Sequence, residues 1–212
     1  MKQGDNMSYK SIKENIVESL MINRSEFISH LYKCSSQEEA HQIINDISAK
    51  YADANHNCYA YIIGIDKSIK KCSDDGEPSQ TAGMPILNVL EHNDITDVIC
   101  VVTRYFGGIK LGAGGLVRAY SKSCSVALDA ATIVEKVKAV NLEVIADYKL
   151  SPKLEYYFKE KQIKIYDKNY YDKVNFYITV KESELNEVQQ YLVNVSSNQI
   201  IVETLESTYI EK

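Results

Sequence analysis

The stretch TDVICVVTRYF, residues 96–106, constrains the fold more than any other part of the chain. Successive side chains of a strand point to opposite faces, so a strand that is apolar on both must be covered from both. The run therefore predicts a central strand with a layer on each side. The segment that follows it must then turn sharply. Residues 101–120, VVTRYFGGIKLGAGGLVRAY, hold five of the nine glycines and two of the three arginines, which marks a strand-to-helix junction and raises the question of what it holds. Past it, GLVRAYSKSCSVALDAA (115–131) reads as a helix whose small residues allow close packing on a sheet.

The same reasoning covers the rest of the first half. IVESLMI (16–22) and residues 26–33 read as strands joined by NRS. Ser36 and Glu39 form the S-x-x-E pattern of a capping box, with apolar Ala40, Ile43, Ile44 and Ile47 at helical spacing up to about Tyr51. CYAYIIGI (58–65) reads as a buried strand, and KSIKKCSDDGEPSQTAG (67–83) as an exposed polar loop. A helix is expected from about Thr81 to Glu91, with Pro85 near its first turn, where its missing N–H costs least.

After about Lys136 the pattern changes. Residues 137–147 read as strand, Ser151 and Pro152 open a helix to about Glu160, and 162–167 and 173–180 read as strands. Ser183 starts a helix to about Val193, and 199–209 reads as a final strand. The order βαββαβ is that of a ferredoxin-like unit. The expected fold class is thus α+β with two domains, residues 1–135 and 136–212.

Charge narrows the functional classes. Net charge is −5, which weighs against a general polyanion binder. The second half is the less acidic: residues 149–173 carry seven lysines and four acids, with Tyr148, Tyr156, Tyr157, Tyr166, Tyr170 and Tyr171 interleaved. Such a mixture suits RNA, through stacking and phosphate contacts, but a small tyrosine core under a solvated lysine face fits better. No run approaches the length of a membrane span, and the first residues lack the apolar core of a secretory signal, so a cytoplasmic protein is expected. The five cysteines are odd in number and lack a CxxC pair, which argues for free thiols rather than a disulfide framework or a zinc site.

At the glycine segment, free backbone N–H groups at a helix start, with Arg104, Lys110 and Arg118 nearby, suit an anion or an RNA backbone. The candidate residues are Arg104, Gly107, Gly108, Lys110, Gly112, Gly114, Gly115 and Arg118. A tight βα connection would call for the same glycines. The P-loop pattern fails because Ala113 and Gly114 follow Gly112, and the dinucleotide fingerprint fails at Val117. The acidic loop residues Asp74, Asp75 and Glu77 suit Mg²⁺ less well than solvation or pairing with Arg104 or Arg118. His56 and Cys58 are two apart, but no carboxylate is marked to orient a nucleophilic pair. No catalytic set, metal site or cofactor is expected.

DDGEPSQTAGMPIL together with VVTRYFGGIKLGAGGLVRAYSKS closely resembles the IMPACT family, in its two-domain YigZ-like bacterial branch. RSEFI and HNCYAYIIG match further blocks of it. The resemblance implies an N-terminal α/β sandwich like the second domain of a small-subunit ribosomal protein, with a left-handed βαβ crossover. It implies a C-terminal ferredoxin-like domain like those of elongation factor G. The implied role is a non-enzymatic regulator of translation or of a stress response, with ribosome, RNA or a translation factor as partner. The alternatives are a phosphate- or nucleotide-binding enzyme related to small-molecule kinases, with a phosphate-containing ligand, and a protein–protein adaptor.

Overall fold

The computed structural model describes residues 8–196 and 199–212. The N-terminal residues read above for a leader fall mostly outside these. The described chain forms two compact units, one of Tyr9–Glu135 and one of Lys136–Lys212 together with Ser8. The fold is mixed α+β in both.

The first unit runs β1 (Ser8–Ile12), β2 (Ile16–Ile22), β3 (Ser25–Lys33), α1 (Gln37–Lys50), β4 (His56–Ile63), β5 (Ile69–Ser73), α2 (Gly83–His92), β6 (Val98–Tyr105) and α3 (Gly112–Ala130). Its five-stranded sheet has the order β2-β3-β6-β4-β5, with antiparallel neighbours throughout. Strand β6 is central, and its alternation explains the unbroken apolar run. Val98, Cys100 and Val102 join the core with residues of α2 and α3, while Ile99 and Val101 join the core with residues of α1. The covered faces, rather than parallel pairing, produce the run.

Local signals account for most boundaries. Ser36 caps α1: its hydroxyl accepts from the Glu39 N–H, and the Glu39 carboxylate takes the Ser35 N–H. Two strands escape the sequence reading. In β1, SYKSI is too short and polar to signal a strand, yet Ile12 is fully buried. In β5, lysines occupy exposed positions on an edge strand, a common way of protecting such an edge from further pairing. The expected exposed loop 67–83 is therefore corrected twice. It contains β5, and Glu77, Thr81 and Ala82 within it are buried.

The second unit runs β7 (Ile133–Ala146), α4 (Ser151–Glu160), β8 (Lys164–Tyr170), β9 (Val174–Lys181), a 3-10 turn (Glu182–Glu184), α5 (Leu185–Ser196) and β10 (Ile201–Glu211). Strands β7 to β10 take the antiparallel order β10-β7-β9-β8, the ferredoxin-like arrangement, within a five-stranded sheet. Strand β9 alternates buried with half-buried residues, and Phe176, Ile178 and Val180 meet Leu154 and Phe158 of α4 and Leu192 of α5 in one core. Tyr157 belongs to this core and stacks on Tyr191 with ring centroids 3.5 Å apart, so it is lost as an RNA contact. Two helix starts differ from expectation. Leu150, not Ser151, is the N-cap of α4, and the 3-10 turn precedes α5 where a cap at Ser183 was expected.

One buried titratable group sets a pH response. His30 on β3 is 1% exposed and sits against Tyr51. The Thr103 hydroxyl donates to Asn57 Oδ1, so at 3.5 Å it can only accept from His30 Nε2, and His30 Nδ1 is left buried without a partner. Burial, and then the charge of Lys50, lowers its pKa to about 4. The unfolded chain takes up a proton near pH 6.5 that the folded unit refuses until about pH 4. Stability contributed by neutral His30 is full above pH 6.5 and declines as pH falls, by up to about 1.4 kcal/mol per pH unit. Urea unfolding of wild type and His30→Phe between pH 7 and pH 4 should give slopes against pH that differ by one proton, the variant being flatter.

Candidate functional site

The site is built on one row of the sheet. The register places Phe27 of β3, Arg104 of β6 and His56 of β4 side by side, on the face that carries α2 and α3. Arg104 comes from the end of the apolar strand and is 5% exposed. Its Nη1 donates to Glu77 Oε1 at 2.5 Å, and its guanidinium lies 5.4 Å from the Phe27 ring centre and 5.5 Å from that of Phe106. A charge so buried requires a partner, and Glu77 supplies it. Tyr120 of α3 donates from its hydroxyl to the same Glu77 oxygen at 2.8 Å and packs edge-on against Phe27.

The acidic loop divides its labour. Burial would raise the pKa of Asp74, but the N–H groups of Gln80, Gly83 and Ala82 together hold it below the ordinary carboxylate range. Asp74 thereby caps the start of α2, whose own N-cap Ala82 has no side-chain acceptor. Asp75 accepts the Asn57 N–H at 2.6 Å, and its carbonyl takes His56 Nδ1 at 2.7 Å. Glu77 is committed to Arg104 and Tyr120. With each carboxylate engaged elsewhere, no group of three or more metal-binding side chains converges among the described residues.

The glycines also separate by role. A Cβ on Gly107 would fall 1.9 Å from the carbonyl oxygen of Arg24, so this glycine lets the junction pass over the β2–β3 turn. Its N–H donates to Ser25. Gly108 and Gly112 have φ of +86° and +69°, with open space where a side chain would stand. Helix α3 starts at Gly112, three residues earlier than expected, so Gly112, Gly114 and Gly115 lie in its first turn. Its N-cap Leu111 offers no side-chain acceptor, and the first turn has no acid. Lys110 and Arg118 are exposed.

Together these elements form a cavity open to solvent, of about 360 Å³, lined by Asn55, His56, Glu77, Arg104 and Lys110, by the α3 start at Gly112 and Ala113, and by apolar Pro78, Phe106, Leu111 and Leu116. Arg104, Lys110 and Gly112 are thus brought to one place. Arg118 does not line it, and Arg104 is no free surface cation. Sequence reasoning missed His56, Asn55 and Tyr120 as site residues. Only the matching of β4 to β6 could reveal the first two, and only the docking of α3 the third. The Cys58 thiol donates to the Asp74 carbonyl and faces the Tyr120 hydroxyl, and burial pushes its pKa far above the ordinary thiol value, so it is no nucleophile.

An antiparallel sandwich with a cavity at its strand-to-helix junction, followed by a ferredoxin-like unit, defines a two-domain α+β class, and known proteins share it. The Impact N-terminal domain matches residues 23–128, and a domain of unknown function (DUF1949) matches 144–199. The IMPACT family member YvyE of Bacillus subtilis is 40% identical over 205 residues, 97% of this chain and 94% of that protein. YigZ of Escherichia coli is 36% identical over 129 residues, 60% of this chain and 63% of YigZ. A solved structure described as a hypothetical protein aligns with a TM-score of 0.66 at 28% identity, covering 94% of this chain and 98% of that one. The chain belongs to the IMPACT family, in its YigZ-like branch. Protein IMPACT of Danio rerio is 36% identical over 100 residues, 45% of this chain and 31% of that protein.

The buried pair generates a sharp stability prediction. Glu77→Gln strands the Arg104 charge and should cost about 3–5 kcal/mol in urea unfolding, while Arg104→Met with Glu77→Gln should cost clearly less than the two single changes summed. Additive losses would show that the two side chains are not coupled.

Proposed function

We propose that the protein is a non-enzymatic regulator of translation or of a stress response, acting in the cytoplasm. Its glycine-segment face docks on a protein component of the translation apparatus, a ribosomal protein or a translation factor. Family membership supports the regulatory part of this reading. One observation supports the partner class: Phe106, Ile109 and Val117 stand 44%, 41% and 37% exposed around the α3 start, with Lys110 and Arg118 among them. Apolar anchors beside a few cations are the makings of a protein interface. An RNA backbone is the weaker fit, because the Arg104 charge is buried and offset by Glu77, leaving only two exposed cations in the segment. Free cysteines at 34, 58, 72, 100 and 124 suit a reducing compartment, and no helix of the described residues is long and apolar enough to cross a membrane.

Sedimentation with purified ribosomes and their bound factors, across a salt series, tests the reading. Wild type should pellet with shallow salt dependence. Ile109→Asp with Val117→Asp should weaken association about tenfold or more without lowering the melting temperature. Steep salt dependence, lost through Lys110 and Arg118 instead, would transfer the face to RNA. No association at any salt would remove the proposal.

A further inference from the structure

We infer that the cavity between the end of β6 and the start of α3 binds a small phosphomonoester carrying a flat, weakly polar group, of about nucleoside monophosphate size. The inference goes beyond the partner reading: it concerns the open cavity beside the exposed face, which shares Phe106 and Lys110 with it.

Its volume of about 360 Å³ lies within the range of small-molecule sites. Two independent sets of unmet donors converge there. The first belongs to Arg104. Arg104 lines the cavity, and among the described residues its side chain makes one hydrogen bond, from Nη1 to Glu77, so Nη2 has no protein acceptor there; the unpartnered Nε is closed off from the cavity. A buried donor without an acceptor is costly, so evolution of this fold without a ligand would favour a residue that met its needs. The second set is the start of α3. Where α1 has the Ser36 cap and Glu38 and Glu39 in its first turn, α3 has neither cap nor acid, leaving its first N–H groups and partial positive charge open to the cavity at Gly112 and Ala113. The positive φ of Gly112, with open space beside it, leaves the backbone within reach of a ligand.

The charges specify the group. Arg104 and Lys110 contribute two positive charges, Glu77 removes one, and the helix start adds about half a charge, which comes near the −1.5 to −2 of a phosphomonoester at neutral pH. Donors of three kinds, a guanidinium, an ammonium and backbone N–H groups, suit a group with three terminal oxygens better than a carboxylate with two. The remaining walls are apolar. Pro78, Leu111 and Leu116 line the cavity, and the half-exposed Phe106 ring beside them offers a surface for a flat group.

The test is a titration of ¹⁵N-labelled protein with AMP, adenosine, inorganic phosphate and a 5′-phosphorylated trinucleotide, followed by amide shifts. AMP should saturably shift the Gly112, Ala113 and Gly114 amides. Inorganic phosphate should move the same amides with about tenfold lower affinity or less, and adenosine should move them least. Lys110→Glu, at an exposed position outside the fold's core, should weaken AMP about tenfold or more and leave the melting temperature unchanged. Arg104→Lys, which keeps the charge beside Glu77 but loses the planar fork, should weaken it as well. The proposal is overturned by the absence of shifts at millimolar AMP, by shifts confined to other parts of the chain, or by equal affinity in Lys110→Glu. Equal affinity for phosphate and AMP would remove the organic half of the ligand, and tighter binding of a 5′-phosphorylated trinucleotide would make the site an RNA-end site instead.

Discussion

A guanidinium packed near two phenylalanine rings and met by one carboxylate organises the first unit. Arg104 reaches its place because the apolar strand β6 ends beneath α3, and it can remain there only because Glu77 reaches the same place from a different loop. That requirement fixes much else. The loop from Asp74 to Thr81 must fold so that Glu77 turns inward, and Asp74 and Asp75 hold it in that shape by taking backbone N–H groups from α2 and β4. Tyr120 must approach from α3 to complete the carboxylate's bonding, which sets how the helix lies on the sheet row of Phe27, Arg104 and His56. Burial drives the Tyr120 hydroxyl pKa far up, so it stays a neutral donor to Glu77.

The glycine segment is shaped by two different demands. Gly107 answers to packing, since the Arg24 backbone occupies the space of its missing side chain. Gly108 and Gly112 answer to conformation and leave open space beside the backbone. The consequence is a helix start with uncapped N–H groups next to a cavity rather than against another element. Exposed apolar side chains surround this opening and few cations accompany them, which is why the two proposals call on different chemistry, a protein partner for the exposed side chains and a small anion for the cavity.

The second unit is simpler in its physics. Its core follows from alternation on β7 and β9 against two helix faces, and its tyrosines split between that core and the surface. Of the six tyrosines interleaved with the lysines, Tyr157 alone is buried, against Tyr191, whereas Tyr148, Tyr156, Tyr166, Tyr170 and Tyr171 are exposed, so the expected tyrosine core does not form from them. The cluster of lysines and tyrosines in the sequence is thus largely the outer surface of a small, well-packed sheet-and-helix unit.

Much of the fold was legible from residue order alone, because it rests on short-range rules. The apolar run of β6, the capping box at Ser36, the break in pattern near Lys136 and the alternation of β9 all act within a few residues of themselves. The strands β1 and β5 were not legible, since one is short and polar and the other is an exposed edge whose lysines read as loop. The candidate site was half legible. Glycines and arginines in one segment announced it, and pairing of the acidic loop with an arginine stood among the alternatives. Which arginine is buried could not be read, because Arg104 and Arg118 differ only in what lies across the sheet and along the helix from them. Nor could the roles of His56, Asn55 and Tyr120, which lie far apart in the chain and meet only through strand register and helix docking. Sequence determined where the chain turns, which faces must be covered and which family it joins. Tertiary structure decided which charges are spent on each other and which donors stay unmet, because burial and partnership depend on distance in space rather than along the chain.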